Sequence, residues 1–263
     1  MKNEEKQSVQ VLVATMNQDD HQLMERMNIQ TDALVGNQCD RNGVEEFEFG
    51  DNSIKYFNMS DRGVGLNRNT ALMRASADIC ILADDDMVFY EGYERQILDA
   101  YQKYPEYDVI ILNIGETPRV RYVVGKPMKV TRWNYGRFGA ARITFRRKAI
   151  SYAGISFNLN FGGGATHSSG EDSLFLSDCL KAGLKIIAIP LEIAKLDNTD
   201  RDSTWFKGYT EKYFFDKGVF YGLAHPLMKK AFCLQYVIRH SDEVNVLGRK
   251  KALSCMLEGI KYV

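Results

Sequence analysis

Short apolar runs alternate with segments of helical periodicity through the first half of the chain. Residues 9–14 are a continuous apolar run of the kind that a strand covered on both faces shows. Further strands are predicted at residues 33–36, 54–57, 78–83 and 108–114. Apolar positions at helical spacing predict helices at residues 20–29, 65–75 and 92–104. Strands that alternate with helices in this way indicate βαβ units and a mostly parallel sheet, so we predict an α/β fold.

The second half of the chain has a less regular pattern. Strands are predicted at residues 120–124, 140–147 and 186–189. One helix is predicted to follow residues 168–172 and to end at about residue 182. Further helices are predicted at residues 209–223, 226–239 and 247–262. The polar segment 197–203 is the best candidate for a mobile loop. The α/β domain is therefore expected to end in a group of helices.

Three of the predicted strands end in side chains that can bind a ligand. The residues concerned are Thr15, Met16, Asn17, Asn37, Gln38, Asp84, Asp85 and Asp86. In open α/β sheets, ligands bind beyond the carboxyl ends of the strands. We therefore expect these residues to line one site at one edge of the sheet.

Three consecutive carboxylates, Asp84, Asp85 and Asp86, follow the fourth predicted strand. Unit charges about 4 Å apart repel by roughly 4 kcal/mol at an effective dielectric constant of 20, so the cluster needs a cation or buried donors. Carboxylate oxygens suit Mg²⁺ or Mn²⁺, and Mg²⁺ is commonly held by one or two carboxylates plus substrate phosphates. The alternative is a solvated acidic turn that caps the next helix.

Glu171 and Asp172 form a second acidic candidate at the start of a predicted helix. Ser168 and Ser169 precede them at capping-box spacing, and acids in a first helical turn gain from the helix dipole. That pattern favours simple capping. A glycine-rich approach at residues 161–165 favours a ligand site instead, because it lets the backbone come close to a ligand.

Two further features carry weaker signals. Gly63 and Gly65 lie between a strand and a helix, as in a dinucleotide-binding loop, but Arg68 occupies the place of the third glycine. The dinucleotide interpretation is therefore unsupported. Trp205 is either a platform on which a sugar stacks or an ordinary core residue, and the sequence leaves both open.

Charge divides the chain into unlike segments, although its net charge is zero. Residues 1–116 hold 10 Lys and Arg against 22 Asp and Glu, whereas residues 117–170 hold ten basic residues and no acidic one. This division suggests two surfaces with different ligands. Five separated cysteines without a C-x-x-C pair disfavour disulfides and zinc. The polar first residues and the lack of a long apolar run predict a cytoplasmic protein.

Taken in order, these motifs resemble the family 2 glycosyltransferases, which are inverting enzymes of the GT-A fold. Residues 11–17 resemble the first strand, and residues 62–69 resemble the segment after the third strand, which ends in Asn69. The aspartates at 84–86 occupy the place of the D-x-D motif. Residues 162–165 and 170–172 resemble the glycine-rich and E-D motifs near the acceptor. The resemblance covers roughly residues 9–225.

The resemblance implies a role for each candidate residue. Asp86 with Asp84 would hold Mn²⁺ or Mg²⁺ on the donor diphosphate, and Asp172, with Glu171 beside it, would be the catalytic base. Nucleotide contacts are implied for Thr15, Met16, Asn17, Asn37, Gln38, Arg62, Asn69, Asp84 and Asp85. Sugar contacts are implied for Gly163, Gly164 and Trp205. The chain departs from the family pattern by ending its second strand in amides and by having Lys195 where some GT-A enzymes supply a metal-binding histidine.

The implied protein is a GT-A, Rossmann-like transferase with a mostly parallel mixed sheet and C-terminal helices. It would move a sugar from a nucleotide-diphospho-sugar, a UDP-sugar, to a hydroxyl of a glycan or glycolipid. Its parts would be a nucleotide-sugar-binding half (1–116), an acceptor-binding half (117–224) and a helical extension (225–263). The alternatives are a sugar nucleotidyltransferase, whose glycine-rich basic loop after the first strand is absent, and a non-catalytic sugar-binding module.

Basic residues on the acceptor side predict a membrane contact. The segment 225–263 adds seven basic residues against three acidic ones to the charge of residues 117–170. An acceptor on a lipid diphosphate at an anionic surface would use such charges, whereas a solvated basic face would need no partner. We therefore expect peripheral contact with the inner face of the membrane without insertion. Nucleic acid is not an expected partner, and the oligomeric state stays open.

Overall fold

The computed structural model describes residues 7–118, 121–197 and 208–263, which form one large sheet with helices on both faces. The strands are β1 (Val9–Met16), β2 (Asp32–Gln38), β3 (Gly43–Phe49), β4 (Asn52–Met59), β5 (Ile79–Asp84), β6 (Met87–Phe89), β7 (Val109–Gly115), β8 (Met128–Val130), β9 (Ile143–Arg146) and β10 (Ile186–Leu196). The helices are α1 (Leu23–Arg26), α2 (Val64–Leu72), α3 (Tyr93–Lys103), α4 (Arg147–Tyr152), α5 (Glu171–Lys181), α6 (Glu211–Ala224), α7 (Lys229–Arg239), α8 (Ser241–Asn245) and α9 (Arg249–Gly259).

The sheet has the order β3-β4-β2-β1-β5-β9-β7-β10-β6, with β8 paired to β10. Its central strands β4, β2, β1 and β5 are parallel, as are β7 and β10. Antiparallel pairs occur at β9, which lies between β5 and β7, and towards both edges. The predicted α/β fold with a mixed, mostly parallel central sheet is confirmed.

Both faces of the central strands are buried, which explains their continuous apolar sequences. Along β1, Val11 and Val13 belong to the core beneath α1 and α3, whereas Leu12 points to the opposite core with α5. Each such side chain contributes about 1.5–3 kcal/mol when it is fully buried. The burial fixes the register of the strands and brings their carboxyl ends to one edge of the sheet.

Several local predictions were wrong for identifiable physical reasons. The predicted helix 20–29 is the single turn α1, because the chain reverses at Asn28 with φ 53°. Strand β3 was not predicted. It is an edge strand with few buried positions, and Glu45, Glu46 and Glu48 interrupt its apolar residues. Residues 121–124 form no strand, and β8 pairs with β10 instead. Most of the loop expected at 197–203 lies outside the described residues.

The C-terminal helices share one core cluster that includes Phe214 from α6, Cys233 from α7 and Met256 from α9. Helices α6 and α9 touch through Gly218 and Gly259, where an added Cβ would collide with a backbone carbonyl of the other helix. This cluster crosses the expected boundary at residue 225, and the three-part division stays a prediction. Within the described residues, no helix is long and apolar enough to cross a membrane.

Candidate active site

The carboxyl ends of β1, β2 and β5 open on a cavity of about 550 Å³. Its wall also contains the loop that leads into α5, which is distant in sequence from those strands. The predicted residues that line it are Thr15, Met16, Gln38, Arg62, Asp84, Asp85, Asp86, Gly163, Gly164, Glu171 and Asp172. The backbone N–H of Val64 donates to the carbonyl of Gly163 at 2.9 Å, which joins the strand side of the cavity to the glycine-rich loop.

Three predicted nucleotide contacts in the described part of the chain lie outside the cavity wall. Asn17 adopts φ 53° and donates its N–H to the carbonyl of Gln38 at 2.9 Å, so it turns the chain at the end of β1. Asn37 is fully buried, and its amide bonds to the backbone of Gln18 and to Asn58. These two side chains shape the strand ends, and their contact with a nucleotide stays a prediction.

Asn69 also holds backbone in place. Its side-chain amide donates to the carbonyl of Phe157 at 2.9 Å, and its oxygen accepts the N–H of Phe157 at 2.7 Å. This pair fixes the segment before the glycine-rich loop against α2. Any effect of Asn69 on a ligand therefore passes through that loop. Trp205, the predicted sugar platform, lies outside the described residues.

The buried guanidinium of Arg68 joins the two acidic motifs. It donates to Asp84 Oδ1 and to Glu171 Oε1, each at 2.8 Å. Burial alone would lower the pKa of Arg68, but the carboxylates of Asp84 and Glu171 outweigh it and raise that pKa. In the sequence, Arg68 was noted only because it occupies the place of a third glycine in a dinucleotide-binding loop. A protein cation therefore neutralises part of the acid cluster.

Asp85 and Asp86 lie in different surroundings. Asp85 accepts a hydrogen bond of 2.6 Å from the hydroxyl of Thr15, at the nucleotide side predicted for β1. Burial, and then the charges of Asp84 and Asp85, raise the pKa of Asp86 to about 6. Asp86 is therefore the member of the cluster whose negative charge the surrounding protein compensates least.

A divalent cation fits this arrangement with few protein ligands. Among the described residues there is no group of three or more His, Cys, Asp or Glu side chains arranged to hold a metal. Lys195 is exposed and offers no ligand. The carboxylates of Asp86 and Asp84 both line the cavity and suit an ion whose remaining ligands are phosphate oxygens and water.

Asp172 lies at the start of α5 and faces the cavity. Burial, and then the charge of Glu171, raise its pKa to about 6, although Arg68 acts in the opposite direction. Gly170 is the N-cap residue with φ 117°, so neither Ser168 nor Ser169 caps the helix. The acids themselves accept backbone N–H groups at the helix start, Glu171 from Gly170 at 3.2 Å and Asp172 Oδ1 from Ser173 at 2.6 Å. A carboxylate with this pKa is ionised at neutral pH and is a better proton acceptor than an ordinary aspartate.

Arginines from the basic segment line the other side of the cavity. Arg121 and Arg142 are both in the wall, and Arg142 donates to the carbonyls of Leu112 and Tyr122 at 2.7 Å each. The basic character of this segment was evident from the sequence, but these two arginines were not predicted as site residues. Arg146 and Arg147 instead donate to backbone carbonyls at the opposite end of the sheet, so they do not face an acceptor.

Comparisons with known proteins agree with this geometry. Residues 40–160 match the family model described as Glycosyl transferase family 2. The fold is similar to that of S. aureus TarS 1–349 (TM-score 0.64, 14% identity, covering 96% of this chain and 81% of that one). It is also similar to the same protein in complex with UDP-GlcNAc (0.62, 15%, 95% and 76%) and with UDP (0.59, 16%, 89% and 72%). No curated protein sequence matches the chain.

These findings confirm the predicted fold and agree with the predicted family and enzyme class. The chain has the GT-A fold, and residues 40–160, just under half of the chain, match the family 2 glycosyltransferase model. The family match favours glycosyl transfer over nucleotidyl transfer. At 14–16% identity, the likeness to the solved structures concerns the fold alone.

Replacing Arg68 with alanine removes the cation between Asp84 and Glu171. We expect the free energy of unfolding at pH 8 to fall by about 3 kcal/mol, because the largely buried Glu171 loses its partner, whereas Asp84 is 41% exposed and partly screened by water. The loss should be smaller at pH 5.5. Carboxylates without a partner have raised pKa values in the folded state, so they take up protons and gain stability as the pH falls. Urea unfolding at the two pH values measures both effects.

Arg74→Ala is the matched control. Arg74 follows α2, and its guanidinium lies 4.9 Å from the ring centroid of Phe57 at the surface. Its removal should cost no more than about 1 kcal/mol at either pH. If Arg68→Ala cost no more than this control, the ion pairs of Arg68 would not hold the acidic motifs together.

Proposed function

We propose that this chain, with its family 2 glycosyltransferase domain, is an inverting enzyme that moves a sugar from a UDP-sugar to a hydroxyl of a glycan or glycolipid. One observation carries the proposal: the acid cluster at the end of β5 and the carboxylate of Asp172 open on the same cavity. The similar fold of S. aureus TarS, solved with UDP and with UDP-GlcNAc, supports UDP as the carrier.

The donor would lie along the strand ends. Its nucleotide would contact the β1 and β2 side, where Thr15, Gln38 and Arg62 line the cavity. Its diphosphate would lie near Asp86, with the positive charges of Arg121 and Arg142 on the facing wall. Asp86, with Asp84, would hold Mn²⁺ or Mg²⁺. The bound ion would neutralise the negative charge that develops on the leaving diphosphate.

Asp172 would act as the base in a single displacement. It accepts the proton of the acceptor hydroxyl while that oxygen bonds to the anomeric carbon and the bond from that carbon to the UDP oxygen breaks. A base on the face opposite the leaving group gives inversion of configuration. Glu171 is held by Arg68, so its charge stays beside Asp172 and helps to keep the pKa of that base at about 6.

The acceptor would approach over the glycine-rich loop. Gly164 has φ 80°, and an added Cβ there would lie 3.0 Å from the backbone nitrogen of Gly63, so this wall is made of closely packed backbone. Backbone groups of Gly163 and Gly164 could then bind sugar hydroxyls directly. A lipid-linked saccharide would be reached at the inner face of the membrane by a cytoplasmic enzyme in peripheral contact with it.

Asp172→Asn tests the base. Release of UDP from a panel of UDP-sugars, with UDP-GlcNAc as the first probe, should identify a donor for the wild type. The variant should lose roughly 10²–10⁴-fold in kcat, the range of a general base, while its affinity for UDP stays near that of the wild type. Asp178→Asn, on the same helix and paired at the surface with Lys181, is the control and should turn over normally. Normal turnover by Asp172→Asn with a lowered melting temperature would leave Asp172 a structural role only.

Asp86→Asn tests the metal. Calorimetric titration of UDP should show binding to the wild type that depends on Mn²⁺ or Mg²⁺ and is severely weakened in the variant, because a neutral amide is a poor ligand for a hard cation. Asp51→Asn, in an exposed turn remote from the cavity, should bind as the wild type does. Transfer by the wild type that continues unchanged in EDTA would contradict the metal assignment.

A further inference from the structure

Helix α7 is apolar on two opposite sides. Cys233, Tyr236 and Val237 are buried against the other C-terminal helices. On the solvent side, Leu227, Leu234 and Ile238 are 99%, 51% and 67% exposed. Leu227 lies in the turn just before the helix, whereas Ala231, which is also exposed, follows helical spacing with Leu234 and Ile238 and forms one stripe with them. A surface helix normally turns a polar face to water, so this stripe indicates a contact with something apolar.

An exposed tryptophan packs against another side of α7. Trp133 is 66% exposed, and its ring stacks on that of Phe232 from α7, with centroids 6.1 Å apart. The loop that carries it is fixed to the helices, because the hydroxyl of Tyr135 bonds to His225 Nε2 at 3.0 Å. We call the exposed residues Trp133, Leu227, Ala231, Leu234 and Ile238 the α7 face.

The two segments that carry the α7 face hold charges of one sign, and the nearest carboxylates along the chain, Asp242 and Glu243, lie in α8. Residues 127–137 and 225–240 contain no aspartate or glutamate. The exposed cations in these two segments include Lys129, Arg132, Lys230 and Arg239. A tryptophan and aliphatic side chains ringed by cations match the composition of helices that lie in the interface of an anionic membrane.

We infer that the α7 face docks on an anionic lipid bilayer. Its apolar side chains would enter the boundary between headgroups and acyl chains, while the four cations contact lipid phosphates. The contact would be peripheral, since no described helix is long and apolar enough to cross a membrane.

A second copy of the chain is a poorer occupant. In a two-fold dimer the same patch meets itself, so the cations of both copies would be brought together. Within residues 127–137 and 225–240 there is no carboxylate to pair with them. An anionic surface supplies the missing negative charge, whereas these two segments of a second copy do not.

The α7 face is connected to the cavity by a short stretch of chain. Trp133 lies six residues before Gly139, and residues 139–142 all line the cavity wall. Docking would therefore hold the cavity close to the bilayer, where a lipid-linked acceptor would be found. This link to the acceptor rests on the proposed function, but membrane binding itself does not. The two can fail separately, because binding is measured without turnover.

Co-flotation of the purified chain with vesicles tests the inference. We expect binding to phosphatidylcholine vesicles that contain about 30% phosphatidylglycerol, loss of that binding in high salt, and little binding to phosphatidylcholine alone. Leu234→Glu with Ile238→Glu should weaken binding at least about tenfold by removing the apolar stripe. Lys230→Gln with Arg239→Gln should weaken it roughly 30-fold, the factor for two cations near an anionic surface.

Matched controls come from α4, which lies elsewhere on the surface. Tyr152→Glu and Lys148→Glu change an exposed apolar and an exposed basic residue there, and both should bind vesicles as the wild type does. Absence of binding to anionic vesicles, or equal binding by the α7 variants and the controls, would overturn the inference. So would a dimer in sedimentation that Leu234→Glu with Ile238→Glu dissociates, because a second copy would then cover the face.

Discussion

The buried ion pairs of Arg68 are the constraint on which the site depends. One guanidinium on α2 contacts Asp84 at the end of β5 and Glu171 at the start of α5, both at 2.8 Å. A buried cation is stable only while its carboxylates stay in contact, and the carboxylates are stable together only while the cation lies between them. The next residue, Asn69, holds the backbone of Phe157, whose ring lies 5.6 Å from the guanidinium. Helix α2 therefore positions both acidic motifs and the segment that leads into the glycine-rich loop.

This constraint gives the three consecutive aspartates three different environments. Asp84 pairs with Arg68, and Asp85 accepts a hydrogen bond from the hydroxyl of Thr15. Asp86 has the raised pKa and the least compensated charge. The protein thus relieves repulsion within the cluster for the first two residues and relieves it least at the third. A similar division holds at α5, where Glu171 binds Arg68 and Asp172 remains available to a substrate.

The parts of the molecule that were predicted from sequence are those with a local signal. Strands such as β1 and β5 are apolar throughout because both faces are buried, and the polar residues after them mark the ligand edge. Edge strand β3 lacks that signal, since only one face packs and three glutamates interrupt it. The role of Arg68 could not be found from spacing, because its partners come from distant segments that meet only in the fold. Arg142 was hidden in the same way within a basic segment, of which Arg146 and Arg147 lie at the far end of the sheet.

The central claim is that Asp172 drives a single displacement at the cavity held together by Arg68. The configuration of the new glycosidic bond tests it most directly. Proton NMR of the product formed from an accepted UDP-sugar reports the anomeric configuration before any rearrangement. A donor whose sugar is α-linked to UDP should give a β-linked product. An α-linked product would contradict the account, because retention requires a route other than direct attack by an acceptor that Asp172 deprotonates.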